Sequence, residues 1–163
     1  MESAVERGGV AGNRPAVPGA AVSRGRIVAE ARGWVGTPYR HQASLKGVGA
    51  DCLGLVRGVF RAVVGDEPER TPAYSRDWAE AGHGERLAAA GRRHLVEVPV
   101  EAARPGDVVL FRFRGHLPAK HAGILVAEDR FVHAYDGAGV VETELTPWWA
   151  RRRAFAFAFP GVS

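Results

Sequence analysis

One cysteine, Cys52, stands among six histidines in this chain. A nucleophilic thiol needs a lowered pKa and access to substrate. Cys52 falls where a glycine-containing polar stretch gives way to an apolar repeat, Leu55, Val56, Val59, Phe60 and Val63. It is therefore expected at a helix N-terminus, where unpaired backbone N–H groups and the positive end of the dipole favour thiolate. Asp51, directly before it, reads as the helix cap. The imidazoles come later: His121 opens the run HAGILVA and His133 lies within RFVHAY, two strand-like segments joined by the tight Glu128-Asp129 link. Adjacent antiparallel strands would present both rings to one cleft. A thiol, a base for its proton and a group to orient that base is the apparatus of nucleophilic acyl transfer. Plainer readings stand beside it. A lone cysteine is commonly a small buried hydrophobe, and each histidine alone reads as a surface or satisfied structural residue. A zinc site drawing on Cys52, His121, His133 and His116 is the other chemical option, but it lacks the short paired spacings of structural zinc.

The elements that must position these groups follow from the periodicity. Ser23 is a fitting N-cap for a helix with Ile27, Val28, Ala31, Trp34 and Val35 on one face, stopped by Gly36 and Pro38. Residues 39–50 read as a surface loop, and the Cys52 helix runs to a stop at Gly65. A polar-faced helix is expected over 77–92, with Trp78, Ala81, Leu87 and Ala88 as its apolar set. Beyond Leu95 the period becomes strand-like: 107–113, 121–127, 130–135, 139–145 and 153–159 are short and rich in β-branched and aromatic residues, with Asp136-Gly137 as a second tight turn. Phe155, Phe157 and Phe159 alternate with alanines, so all three rings share one buried face. Helices first and a strand meander second predict an α+β domain, helices packed on one side of an antiparallel sheet.

At 163 residues, with 46% hydrophobic and 25% charged residues, the chain fits one globular domain and excludes a collagen-like, coiled-coil or wholly disordered protein. Residues 1–22 mix Gly, Ala and Pro without period and are expected to form a flexible extension before a domain over 23–163. No stretch approaches the roughly 20 apolar residues of a membrane span, and the first 22 residues lack the apolar segment of a secretory signal. Neither membrane insertion nor Sec-type export is expected. One cysteine permits no internal disulfide. The net charge of +4 comes mainly from scattered arginines, Lys46 and Lys120 being the two lysines, and no recognition motif accompanies it, so specific nucleic-acid binding is not expected. Trp148 and Trp149 could stack on sugar rings; two adjacent tryptophans near a strand more often give one core residue and one surface anchor.

Cysteine at a helix start, then histidine, then a polar group is the order of papain-like hydrolases. Within that order, GWVGTPYR (33–40), DCLGLVRGVF (51–60), RPGDVVLFR (104–112), KHAGILV (120–126) and FVHAY (131–135) resemble the NlpC/P60 cysteine peptidases, most closely the branch encoded among tail genes of phages and gene transfer agents. The resemblance covers about residues 24–160. It implies a papain-like α+β fold, N-terminal helices carrying the thiol and a C-terminal sheet carrying the histidines. It makes Cys52 the nucleophile, His121 the general base and later acid, and His133 the group that orients His121. Tyr39 of the GTPY motif matches a tyrosine that lines the family's active site and would help polarise the scissile carbonyl beside the Cys52 backbone N–H. Leu53 departs from the serine widespread after the cysteine and agrees with the tail-gene branch.

The implied activity is cleavage of an amide in the peptide stem of bacterial peptidoglycan, at the link from D-glutamate to diaminopimelate or lysine, without cofactor or metal. The implied partners are tail-hub or tail-tip proteins, and the implied location is the tail of a phage-like particle that opens the wall locally during DNA delivery. A structural hub or adaptor with the same fold, and an amidase or acyltransferase on the same scaffold, are the alternatives.

Overall fold

The computed structural model describes residues 21–79 and 84–163. Helix α1 spans Arg24–Gly33, and Ser23 caps it by accepting from the Arg26 N–H at 3.1 Å. Gly36 turns the chain at φ +94°, a conformation that favours glycine. Val35, expected on the apolar face, lies past the helix end and is 47% exposed. Residues 39–50 hold more order than a loop: β1 (Ser44–Leu45) and β2 (Gly49–Ala50) form a small hairpin, and Tyr39 bridges to Ala50. Helix α2 spans Cys52–Val63 and buries the whole apolar repeat read from the sequence. α1 lies against it, with the Trp34 ring seated over Gly58, where an added Cβ would come within 2.1 Å of that ring.

Helix α3 is Arg86–His94, shorter and later than the expected 77–92. Residues 76–79 form a turn instead, and Ala81 lies outside the described residues. Trp78 thus belongs to the irregular segment crossing from α2 to α3, where Pro68 and Pro72 withhold backbone donors.

Among the described residues the main sheet has six strands, β3 (Val96–Val98), β4 (Val108–Phe111), β5 (His121–Ala127), β6 (Arg130–Tyr135), β7 (Gly139–Glu144) and β8 (Arg153–Ala158), with a single helical turn α4 (Pro147–Ala150) before the last. Their spatial order is β3-β8-β4-β5-β6-β7, with every pair antiparallel. β3 and α4 are additions to the sequence reading. The sheet buries both faces. Val108, Leu110, Ile124, Val132 and Phe157 meet the helices in the main core, with Phe159 and the part-buried Phe155 in the same cluster. Val109, Phe111, Leu125, Phe131 and Ala156 form a second cluster, packed by Trp149 and Leu145. The period of two sends alternate residues to opposite sides, so β4 is buried along its length.

Residues 1–20, most of the expected flexible extension, lie outside the described residues. Val22, the last residue of that extension, is buried and pairs with Val162. Among the described residues no helix is long and apolar enough to cross a membrane.

Candidate active site

Asp51 organises the start of α2. Its Oδ1 accepts the Gly54 N–H at 2.7 Å, and its Oδ2 accepts the Gln42 N–H at 2.7 Å and the Tyr74 hydroxyl at 2.5 Å. The carboxylate is buried, and the helix cap expected from the sequence is present. Cys52 follows as the first helical residue. The structure corrects the expectation that this position alone favours thiolate. Burial first, then the Asp51 charge, push the thiol up to about 11, while hydrogen bonds from backbone N–H groups, that of Ala122 first, oppose the rise. The resting thiol is protonated.

The sheet delivers the imidazoles as expected. His121 opens β5 and His133 sits in β6, and the antiparallel pairing of these strands brings His121 Nε2 to 2.7 Å from His133 Nδ1. His133 Nε2 lies 2.8 Å from Thr143 Oγ1 on β7. Both rings are buried. Burial, the neighbouring His133 and Lys120 lower His121 to about 3, and burial lowers His133 to about 4, so both are neutral at pH 7. A neutral imidazole has one N–H, and the chain therefore has two proton arrangements. In one, His121 donates from Nε2 to His133, which donates from Nε2 to Thr143, leaving a lone pair on His121 Nδ1. In the other every donor reverses, and His121 carries its proton on Nδ1.

Tyr39, Asp51, Cys52, Tyr74, His121 and Tyr135 line one cleft of about 380 Å³. All but His133 of the residues expected to act on substrate thus share a cavity, and His133 backs His121 from beneath. Burial first, then the charge Cys52 would carry if ionised and the Asp51 carboxylate, raise the Tyr39 phenol, which keeps its proton and remains a donor. A larger apolar cavity, about 580 Å³, lies on the far side of Leu53, Tyr74 and Trp78, between α2, α3 and the sheet; neither Cys52 nor the two histidines line it.

The expected alternatives find less support. His116 is exposed and outside the cleft. Among the described residues no group of three or more His, Cys, Asp or Glu is placed to hold a metal. Trp149 packs beneath the histidine pair, its ring 5.2 Å from His133 and 5.8 Å from His121, whereas Trp148 is 44% exposed under the Arg152 guanidinium at 3.7 Å. Trp149 is part-buried against the second core cluster, and Trp148 lies at the surface. Sequence reading missed Tyr74 and Thr143. Tyr74 lies in a Pro-bounded segment without period, and a threonine within a strand carries no distinguishing signal.

The sequence model of the NlpC/P60 family matches residues 36–156. The murein DD-endopeptidase MepS/murein LD-carboxypeptidase of Escherichia coli K12 is 30% identical over 130 residues, 79% of this chain and 59% of that protein. The gamma-DL-glutamyl hydrolase of Bacillus subtilis 168 is 32% identical over 108 residues, 66% of this chain and 22% of that protein. The chain spans about three fifths of the length of the Escherichia coli relative. Among solved structures, the NlpC/p60 domain of the peptidoglycan hydrolase SagA superposes with a TM-score of 0.58 at 25% identity, covering 83% of this chain and 98% of that domain. An NlpC/P60 family protein of Bacillus cereus ATCC 10987 gives 0.62 at 18% identity over 86% of this chain and 41% of its own, a likeness of fold alone. The α+β architecture is the papain-like fold of these structures.

Proposed function

The chain belongs to the NlpC/P60 family, and on that footing we propose that it is a thiol endopeptidase cutting an amide in the peptide stem of peptidoglycan. One observation carries the reading: the Cys52 thiol and His121 line one cleft, and His121 spends Nε2 on His133, so that in the arrangement where it donates from Nε2 its Nδ1 is left for the thiol proton. The names of two relatives, one acting on murein and one on gamma-DL-glutamyl linkages, agree with this substrate class.

Cys52 Sγ attacks the scissile carbonyl as its proton passes to His121 Nδ1. With the thiol at about 11 and the imidazole at about 3, an ion pair standing ready before substrate arrives is disfavoured, so proton transfer accompanies bond formation. The developing imidazolium is held by its Nε2–H bond to His133, which in turn donates to Thr143. The Cys52 backbone N–H and the Tyr39 phenol receive the oxyanion. Collapse breaks the C–N bond, His121 returns the proton to the leaving amine, and a thioester remains on Cys52. Water, deprotonated by the same imidazole, releases the acid and restores the thiol.

The bond we assign is the link from D-glutamate to diaminopimelate or lysine. We further assign the chain to a phage-like or gene transfer agent tail, with hub or tip proteins as partners; the DCLG run with Leu53 after the nucleophile supports that branch. Digestion of purified sacculi followed by mass spectrometry of the soluble products tests the activity. A new amine on diaminopimelate or lysine is expected; cleavage between sugar and peptide would assign an amidase, and no release would leave a structural hub. Mass spectrometry of purified particles tests the location, and finding the chain free of every tail fraction would remove it.

A further inference from the structure

Tyr74 belongs to none of the motifs that mark the site, yet it is clamped at one end to the stretch before β1 and at the other to Asp51, the cap of the helix that carries Cys52. Its carbonyl oxygen accepts from the Gln42 side-chain amide at 2.5 Å and lies 2.8 Å from His41 Nε2, in the stretch just before β1. Its hydroxyl donates to Asp51 Oδ2 at 2.5 Å. The edges of His41 and Trp78 hold the ring between them, with centroids at 5.3 and 5.9 Å. The segment that bears Tyr74 also crosses the cleft: Arg76 pairs with Asp136, beyond β6, at 3.0 Å. The phenol is thus fixed in direction by contacts that owe nothing to its hydroxyl.

We propose, building on the peptidase reading above, that Tyr74 is a positioning residue: by donating to Asp51 Oδ2 it holds that carboxylate against the start of α2 and shares its negative charge, and so sets how readily Cys52 loses its proton. Asp51 and Cys52 are adjacent in sequence, and the carboxylate charge opposes formation of thiolate. A hydrogen bond into Oδ2 draws part of that charge away from the sulfur. The other titratable groups around the carboxylate are His41, whose Nδ1 stands 3.8 Å from Oδ2, and the Tyr39 phenol; Arg57 acts on Tyr74 from α2. Burial and Asp51 keep the Tyr74 phenol protonated throughout the working range, so it remains a donor.

The test is the pH profile of Cys52 alkylation by iodoacetamide, followed by intact mass on the full chain, with hydrolysis of stem peptide measured in parallel. In Tyr74→Phe the thiolate should form less readily, with the profile moved up by roughly 0.5–1 pH unit and alkylation at a fixed pH below the midpoint slowed about three- to tenfold. Asp51→Asn keeps a capping side chain and removes the charge, so its profile should move down. In the Asp51→Asn background, Tyr74→Phe should add nothing, a coupling that a merely structural tyrosine would not show. Equal profiles for wild type and Tyr74→Phe, or the same shift with and without the Asp51 charge, would overturn the proposal. If Tyr74→Phe does not fold, Asp51→Asn still decides: a profile that fails to move down refutes the role of the carboxylate, and of the tyrosine acting through it. Alkylation needs no wall substrate, so failure of the peptidase reading would appear separately, as a wild type that alkylates but cleaves nothing.

Discussion

Replacing Gly54 by alanine should damage the fold and the site together, because this glycine marks where a backbone approaches α2 most closely. A Cβ built there would lie 1.8 Å from the Ala43 carbonyl oxygen, 2.9 Å from its carbon and 3.1 Å from Asp51 Oδ1. The first distance is roughly 1.5 Å short of ordinary contact, and the atom in the way is main chain, which cannot rotate aside. The stretch before β1 must retreat, and it holds the Asp51 N–H to Ala43 bond at 3.3 Å and the Gln42 N–H to Asp51 bond at 2.7 Å. Overpacking costs about 1–3 kcal/mol and each strained hydrogen bond about 1 kcal/mol, against about 1 kcal/mol regained from alanine's helix propensity. A net loss of about 2–4 kcal/mol lowers Tm by about 5–15 °C in a domain of this size. Thermal unfolding by circular dichroism measures it. Gly25→Ala in α1 is the control, since a Cβ there meets nothing within 4 Å, and it should match wild type or exceed it slightly. A Gly54→Ala protein melting within about 1 °C of wild type would refute the reasoning.

Three further expectations rest on other parts of the structure. His121 and His133 are held neutral far below the ordinary histidine value. The unfolded chain therefore binds more protons below about pH 6.5, and stability should fall on acidification from there towards pH 3–4, by up to about 1.4 kcal/mol per pH unit for each histidine. Cys52 is shifted the opposite way, so stability should fall again as pH rises above about 8.5; a urea midpoint unchanged from pH 7 to pH 4 would contradict the first of these. In kinetics, His121→Ala should abolish turnover, His133→Ala should leave a measurable residue, and Thr143→Val should cost less than either, since each acts one bond further from the thiol; a reversed order would break the relay. A chain beginning at Ser23 should melt below one beginning at Ala21, because it loses the buried Val22 and its pairing with Val162, and equal Tm values would return Val22 to a dispensable extension.

What could be read from the sequence was whatever its period encodes. Leu55, Val56, Val59, Phe60 and Val63 define α2 without help from the rest of the chain, and their burial follows; the start of that run places Cys52 in the first turn, just after the cap. The strands bearing His121 and His133 were visible for the same reason, and a tight link between them makes them neighbours. Where tertiary context decides, the reading stopped short. β3 has three residues with Val96 and Glu97 exposed, an edge too short to show alternation. The expected helix over 77–92 took Trp78 for a helical face residue, whereas its ring packs against Tyr74 in the crossing segment. Tyr74 and Thr143 reach the site only through pairings with residues 23 and 10 positions away, which no local pattern records. The protonation state of Cys52 depends on burial and on the direction of the Asp51 carboxylate, and both belong to the folded molecule.

The central claim is that a single thiol breaks the amide. Its most direct measurement compares stem-peptide hydrolysis by wild type and Cys52→Ala at equal concentration, with circular dichroism showing that both are folded. The account predicts turnover by wild type and none above the uncatalysed rate by Cys52→Ala, because the thioester cannot form without the sulfur. Hydrolysis by Cys52→Ala at more than about 1% of the wild-type rate would contradict it, since removing a covalent nucleophile costs far more than a factor of a hundred.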